Sequence, residues 1–315
     1  MDVKQLKALV TVIEVGSVTR AAELLHLVQP AVTRQIRTLE HELGVLLFER
    51  THQGMRPTTA GVSLAERARR ALTELDRARA ELTPTPGQVS GMVNVGLLES
   101  TAELLAEPLT RAVLRSYPDI ELRLLTAYSG HLQKWLDDGD LDVSLLYGLT
   151  STPSLNVTAL VRERLWAVAP PEAGLSPTRP VSFADVVDHP IVMPTQGHGL
   201  HTLITTGARH AGAEINALVQ TNSMDLQKQL VRGNHGWTIL PAVGIAGDLA
   251  RGVLSAAPLC EPEIWRSIVL GMPRIGRVPA AVDVVARELV TQVEASVREG
   301  RWPSARLDSQ PPGSA

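Results

Sequence analysis

Apolar residues near the start of the chain recur at helical spacing in two short segments separated by a tight break. In the second segment, residues 29–43, they fall three or four residues apart on one face: Val32, Ile36, Leu39 and Leu43. Away from that face Gln29, Thr33 and Arg37 stand four apart in one row. Pro30 suits a first helical turn, where no backbone N–H is needed. The pattern predicts a helix-turn-helix whose second helix can enter a DNA major groove, or else a plain amphipathic hairpin with a solvated face.

A long helix is predicted to start at Thr58 or Thr59 and to end at about Leu82. Six apolar positions alternate at spacings of four and three: Leu64, Ala68, Ala71, Leu75, Ala78 and Leu82. A narrow apolar seam between faces dense in Arg and Glu is typical of a coiled coil and predicts a dimerisation helix. The alternative is a helix packed on its own domain. The following TPTPG sequence, residues 83–87, is expected to act as a hinge.

A polar segment centred on Gly54 separates the second short helix from the long one. It lies between two short extended stretches and predicts a wing, whose Arg, Thr and Gln side chains suit phosphate contacts. A plain surface turn is the alternative.

Beyond residue 88 short apolar strands alternate with helices, which indicates βαβ units and a parallel sheet. The predicted strands lie near 92–97, 120–124, 143–147, 156–161, 164–169, 191–193, 217–221, 237–240 and 265–271. The predicted helices are 101–116, 132–138, 182–188, 200–211, 223–232 and 279–298. A tail at 303–315, rich in Pro, Ser and Gly, is expected to be disordered.

Composition adds a charge asymmetry to this picture. The net charge is −3 over 315 residues. Residues 1–88 hold 12 Lys and Arg against 10 Asp and Glu, a net of +2, and the rest hold 18 against 23, a net of −5. The single cysteine, Cys260, is expected to be a bystander in a reducing, cytoplasmic setting. The N-terminal segment fits neither a signal peptide nor a membrane span.

One long pattern of residue types is more specific than the spacing of apolar positions. Residues 21–50 read AAxxLHxxQPAxxRQIxxLExxLGxxLFER, followed by TxAG at 58–61, and this resembles the LysR-type transcriptional regulators. Two later segments, Gly139–Gly148 and Gly233–Pro241, resemble the effector-binding domain of that family. The chain departs from the pattern at Val28, where the family often has a serine that caps the helix.

The resemblance implies an α/β protein with a helix-rich winged helix-turn-helix, a linker helix and a two-lobed effector domain like a periplasmic substrate-binding protein. The expected boundaries are 1–58, 59–88 and 89–302, with lobe I at 89–161 plus 269–302 and lobe II at 162–268. The implied partners are double-stranded DNA, a small-molecule effector, RNA polymerase, and further copies of the chain in a homodimer that assembles to a homotetramer. No membrane partner is expected.

The DNA contacts are expected from the second helix, its neighbour and the wing. The candidates are Arg20, Gln29, Pro30, Thr33, Arg34, Arg37, Arg50, Gln53 and Arg56. Gln29 suits adenine, and Arg34 or Arg37 suits guanine or phosphate. Thr33, Arg50 and Gln53 would hold the DNA backbone.

An effector is expected where helices begin after the strands of the two lobes, because free N–H groups and hydroxyls there favour an anionic or polar molecule. The candidates are Ser100, Thr101, Ser129, His131, Thr195 and His198, although each hydroxyl suits a simple helix cap equally well. His198 and His201 have a metal-compatible spacing but no visible third ligand, so neither a metal nor another cofactor is expected.

Two rival interpretations remain. One is a solute-binding module that uses its helical arm only to associate. The other is an enzyme in the α/β half, for which the sequence offers no catalytic motif.

Overall fold

The computed structural model describes residues 1–51, 54–82, 89–149, 152–274 and 278–308. The chain divides into two compact units, Met1–Pro86 and Gly87–Ala315. The predicted hinge and Gln53 lie outside the described residues. Within the described residues, no helix is both long and apolar enough to cross a membrane.

The N-terminal unit contains four helices and a hairpin. They are α1 (Val3–Val15), α2 (Val18–Leu24), α3 (Gln29–Leu43), β1 (Phe48–Thr51), β2 (Gly54–Pro57) and α4 (Thr59–Leu82). Gly16 ends α1 in the left-handed region at φ 65°, and Ser17 caps α2. β1 and β2 pair antiparallel and form the predicted wing.

Two residues of the sequence pattern fasten the wing to the helices. The Oε1 of Glu40 accepts backbone N–H groups from Leu47 at 2.8 Å and Phe48 at 3.1 Å. Gly61, near the start of α4, lies directly against the backbone of Leu47, and a Cβ there would lie 2.1 Å from its carbonyl oxygen. Both positions therefore serve the fold of this unit.

The apolar seam of α4 divides into two parts, which corrects the prediction of one continuous seam. Ala68 is buried and Leu64 half-buried in the core of the N-terminal unit, together with Ala65. Ala71, Leu75 and Ala78 are exposed, and the side chain of Leu82 is outside the description. The first two turns of the seam are thus used within the unit, because they pack against α1.

The C-terminal unit alternates strands and helices. Its strands are β3 (Gly91–Leu98), β4 (Ile120–Ala127), β5 (Val143–Tyr147), β6 (Leu155–Ala169), β7 (Val181–Ser182), β8 (Ile191–Pro194), β9 (Ala217–Thr221), β10 (Thr238–Pro241), β11 (Ser255–Cys260), β12 (Trp265–Pro273) and β13 (Ala305–Leu307). Its helices are α5 (Ala102–Ser116), α6 (Ser129–Asp138), α7 (Phe183–Val187), α8 (Gly199–Ala211), α9 (Met224–Arg232), α10 (Ala246–Ala250) and α11 (Ala280–Arg298).

The main sheet is mixed rather than parallel. Its strand order is β4-β3-β5-β12-β6-β11-β7, with β10 and β13 also paired to β6. β3 is parallel to β4 and β5, as the βαβ pattern predicts, whereas β12 is antiparallel to both β5 and β6. β8 and β9 form a separate parallel pair.

β6 is one continuous strand where two were predicted. The apparent break is the charged pair Arg162 and Glu163, but Glu163 is fully buried because it pairs with Arg266 of β12. The expected lobe boundaries at 161/162 and 268/269 therefore fall inside two long strands, β6 and β12. The pairing of these strands shifts register between Ile268 and Val269.

The expected disordered tail begins too early. Trp302 is completely buried, and β13 pairs antiparallel with β6. The prediction was wrong for residues 303–308 because their contacts come from a strand far away in the sequence; residues 309–315 lie outside the description.

Candidate functional site: a DNA-facing helix and an interlobe cavity

The polar side of α3 faces solvent. Gln29, Pro30, Arg34 and Arg37 are exposed, and the apolar face of the helix packs into the core. In the described part of the chain, neither Arg34 nor Arg37 forms an ion pair. The helix therefore presents two guanidinium groups that are available to phosphate oxygens or base edges.

The start of α3 lacks a side-chain cap. Val28 occupies the N-cap position, makes no capping hydrogen bond and is 70% exposed. Thr33 is half-buried, and its hydroxyl donates to the carbonyl of Gln29 at 3.1 Å. The turn before the helix is made by His26 in the left-handed region, at φ 54°.

The exposed polar surface of α3 extends past the predicted residues. A shallow groove along α3 is also lined by Thr38 and His41, which continue the spacing of four already seen in the sequence. Arg20 on α2 and Arg56 on β2 are exposed. The backbone of Arg50 lies in β1, but its side chain and all of Gln53 are outside the description.

The C-terminal unit encloses a small cavity between its lobes. Its volume is about 30 Å³, which is room for roughly two water molecules. One wall is apolar and includes Leu98, Met224 and Leu240. Polar side chains form the other wall: Glu99, Ser100, Tyr128, Tyr147, His198, Gln227 and Arg266.

His198 and Tyr147 close the start of α8. The backbone N–H of Leu200 donates to the Tyr147 hydroxyl at 2.7 Å and to Nδ1 of His198 at 3.0 Å. Gly199 permits this approach, because a Cβ there would lie 2.6 Å from the Tyr147 ring. One of the free N–H groups at the start of α8 is thus occupied, which removes part of the basis for expecting an anion there.

Burial sets the ionisation of these groups. Burial, assisted by Arg266, lowers the pKa of His198 to about 4, so the imidazole is neutral near pH 7. Burial raises the pKa of Tyr147 to about 12 and the pKa of Tyr128 further still. The pKa of Glu99 is also raised, first by burial.

A buried ion pair forms the rear of the cavity. Nη2 of Arg266 donates to Oε2 of Glu163 at 2.7 Å and to the Ser100 hydroxyl at 2.8 Å. The other carboxylate oxygen of Glu163 accepts from Nε1 of Trp302 and the Ser304 hydroxyl, each at 2.9 Å. The positive charge of Arg266 is therefore compensated inside the protein.

Of the six predicted effector residues, Ser100 and His198 line the cavity and four do not. Thr101 is fully buried and donates to the carbonyl of Leu98, and the Ser129 hydroxyl accepts the N–H of Tyr147 at 3.0 Å. His131 is exposed, and Thr195 is half-buried outside the cavity. Both buried hydroxyls bond to backbone groups, but neither caps its helix, so the helix-cap alternative is also wrong for these two positions.

The polar wall also contains residues that sequence reasoning missed. Arg266 lies at the start of a predicted strand, not at its carboxyl end, and Gln227 lies within a predicted helix. Tyr128 and Tyr147 resemble ordinary core aromatics. No local sequence pattern groups these residues, because only the folded structure brings them together. Among the described residues, no group of three His, Cys, Asp or Glu side chains is placed to hold a metal.

Comparison with known proteins agrees with this architecture. Residues 3–62 match the model of the bacterial regulatory helix-turn-helix protein, lysR family, and residues 86–294 match the LysR substrate binding domain. The regulator BbuR of Bordetella bronchiseptica is 26% identical over 96% of this chain and 93% of its own length. OxyR of Escherichia coli is 28% identical over 86% of this chain and 88% of its own.

Solved structures share the fold. Full-length CbnR in complex with its target DNA superposes with a TM-score of 0.70 at 22% identity, covering 93% of this chain and 100% of CbnR. Full-length OxyR from Pseudomonas aeruginosa gives a TM-score of 0.69 at 20% identity, with 99% of each chain covered. The predicted fold class and family resemblance are confirmed: the chain belongs to the LysR-type family of DNA-binding transcriptional regulators, with a substrate-binding domain after its helix-turn-helix.

Proposed function

We propose that this protein binds a specific DNA operator through α3 and changes its regulatory activity when a small molecule occupies the interlobe cavity. The observation that carries the DNA part is the exposed polar side of α3, where Arg34 and Arg37 form no ion pair with any described residue. Surface arginines without partners suit phosphate and guanine, whereas a purely structural helix gains nothing from them.

The test is binding to the DNA upstream of the protein's own gene, measured by fluorescence anisotropy between about 50 and 200 mM salt. Arg37→Ala or Arg34→Ala should weaken binding by roughly 1–3 kcal/mol, and a phosphate contact should also reduce the salt slope by about one. Arg123→Ala is the matched control, because Arg123 is exposed but pairs with Glu121 in the C-terminal unit. Equal affinities for all three variants would contradict the assignment.

The cavity supports the effector part. Polar side chains converge there from the residues after β3 and β4, from the N-cap of α8, and from β5, α9 and β12. Two of the predicted residues are among them. At about 30 Å³ it holds only water, so a larger molecule enters only when the lobes or the lining side chains move apart. Such movement couples ligand binding to a conformational change of the protein, because the ligand stabilises the conformation that it fits.

The similarity to proteins named as hydrogen peroxide-inducible genes activators raises peroxide as a signal. An intrachain disulfide needs two cysteines, and these 315 residues contain only Cys260. Burial raises the pKa of its thiol, which disfavours the reactive thiolate. A reversibly bound small molecule therefore fits this chain better than thiol oxidation.

Self-association is proposed through the outer part of α4. Ala71, Leu75 and Ala78 are exposed on one side of that helix, and Leu75 is 44% exposed. Leu75→Asp should shift the protein from dimer, or tetramer, toward monomer in light scattering, whereas Leu64 serves the core of its own unit. Contact with RNA polymerase is part of the same proposal and follows from the family.

A further inference from the structure

Three polar atoms of the interlobe cavity are buried without a hydrogen-bond partner among the described residues. They are Nε2 of His198, Nε2 of Gln227 and the hydroxyl oxygen of Tyr128. Gln227 is 1% exposed and His198 is 8% exposed. A buried polar group without a partner destabilises a fold, so three in one cavity indicate a site shaped for a molecule that supplies the missing bonds.

Each of these atoms is able to donate. Nδ1 of His198 accepts the N–H of Leu200, and the ring is neutral because burial lowers its pKa to about 4. The single ring proton therefore lies on Nε2, which faces the cavity as a donor. The Gln227 amide nitrogen donates by its chemistry, and the Tyr128 hydroxyl keeps its proton because burial raises its pKa. The ligand must therefore offer acceptors.

The charges of the cavity argue against an anion. Arg266, the cation in its wall, is compensated by Glu163 at 2.7 Å. The N–H of Leu200 at the start of α8 is already bonded to Tyr147. Glu99 adds a carboxylate whose Oε2 accepts the N–H of Met224 at 3.3 Å. A ligand carboxylate would thus be desolvated beside a like charge without a free cation to balance it.

From this geometry we infer that the cavity ligand is a small uncharged molecule with a partly apolar body and a carbonyl or amide-type acceptor, which bonds to His198, Gln227 and Tyr128. This inference rests on the proposed effector site and narrows its expected ligand from anionic or polar to neutral. The apolar wall of Leu98, Met224 and Leu240 would hold the body of the molecule.

The first experiment compares matched probes on the full-length protein: acetamide with acetate, propionamide with propionate, and benzamide with benzoate. We expect at least one amide to bind about tenfold or more tightly than its acid by calorimetry. Glu99→Gln should reduce this difference in affinity, because removing the Glu99 charge strengthens the binding of the acids and leaves the binding of the amides unchanged. Tighter binding of the acids, or no binding by any amide, would overturn the inference. Operator binding, measured separately, tests the proposed function without reference to the ligand.

The second experiment needs no ligand. Gln227→Leu removes a buried donor that has no partner among the described residues. The ligand-free protein should therefore gain roughly 2–4 °C in the Tm of its C-terminal unit and lose amide binding. Gln220→Leu, at an exposed position on β9, is the matched control and should leave both unchanged. A lower Tm for Gln227→Leu would show that the Gln227 amide already has a hydrogen-bond partner in the ligand-free protein, for example an ordered water molecule. That result would overturn the inference.

Discussion

Nη2 of Arg266 lies 2.7 Å from Oε2 of Glu163, and their side chains are 4% and 0% exposed. The pair joins β12 to β6 in the part of the sheet that both lobes share. Arg266 reaches Ser100 at the cavity, and Glu163 reaches Trp302 and Ser304 near the end of the described chain. The buried Glu163 carboxylate therefore links β6 to β12, to the cavity wall through Arg266, and to the residues just before β13.

Glu163→Gln should strongly destabilise the C-terminal unit. The substitution leaves the guanidinium of Arg266 buried without a counter-charge, which typically costs about 3–5 kcal/mol. The measurement is urea unfolding followed by tryptophan fluorescence. Glu121→Gln breaks an exposed pair with Arg123 and should cost at most about 1 kcal/mol. Equal losses in the two variants would refute the role of the buried pair.

Gly61→Ala should destabilise the N-terminal unit, because its Cβ would lie 2.1 Å from the carbonyl oxygen of Leu47. We expect a loss of roughly 1–3 kcal/mol in the free energy of unfolding, and weaker operator binding as the wing shifts. Circular dichroism during thermal unfolding gives the stability. Ser63→Ala, an exposed neighbour on the same helix, should remain close to the parent protein.

Val28→Ser should stabilise the start of α3. The present N-cap makes no side-chain hydrogen bond, and a serine there can accept a backbone N–H of the first turn. The expected gain is about 1 kcal/mol in the free energy of unfolding of the N-terminal unit. Val28→Ala, which provides no cap, is the control. A serine variant no more stable than the alanine variant would mean that the first turn gains nothing from a cap.

His198 should make stability depend on pH in the acid range. Its pKa is about 4 in the folded protein against 6.5 as an ordinary value, so between these values the unfolded chain binds a proton that the folded one excludes. The free energy of unfolding contributed by this group is intact above pH 6.5 and falls by roughly 3 kcal/mol as the pH drops to about 4.

The measurement is denaturant unfolding at a series of pH values. His198→Asn keeps an acceptor for the N–H of Leu200 but does not titrate, so its stability should fall less between pH 6.5 and 4. His131→Asn, at an exposed position, should follow the parent curve. Identical slopes for His198→Asn and the parent protein would contradict the burial of a neutral imidazole.

Much of the N-terminal unit was predictable because its contacts are local. The apolar spacing of Val32, Ile36 and Leu39 specifies which side of α3 faces inward, and Gly16 and Gly44 end helices where a left-handed residue is needed. The pattern did not reveal that Leu64 and Ala68 of α4 belong to the unit's own core. Helical spacing gives a face but not the surface against which that face packs.

The C-terminal unit was less predictable where distant partners decide the structure. The Arg162–Glu163 pair resembles a polar break, yet Glu163 lies inside a strand because Arg266 neutralises it 103 residues later. β11 was missed, since Ser255, its alanines and Pro258 lack the usual strand pattern. The cavity shows the same limit: hydroxyls at helix starts were visible in sequence, but Thr101 and Ser129 bond to backbone groups and do not line the cavity.

β13 contacts the middle of β6, and Trp302 and Ser304 donate to the carboxylate at the crossing of the lobes. A deletion that stops at residue 301 would therefore strip two donors from Glu163 and a paired strand from β6, although it removes only the apparent end of the protein. Shortened variants that lack this region would lose contacts of the buried Glu163 carboxylate and of β6. Any fragment used to measure ligand response should therefore retain the residues up to Asp308.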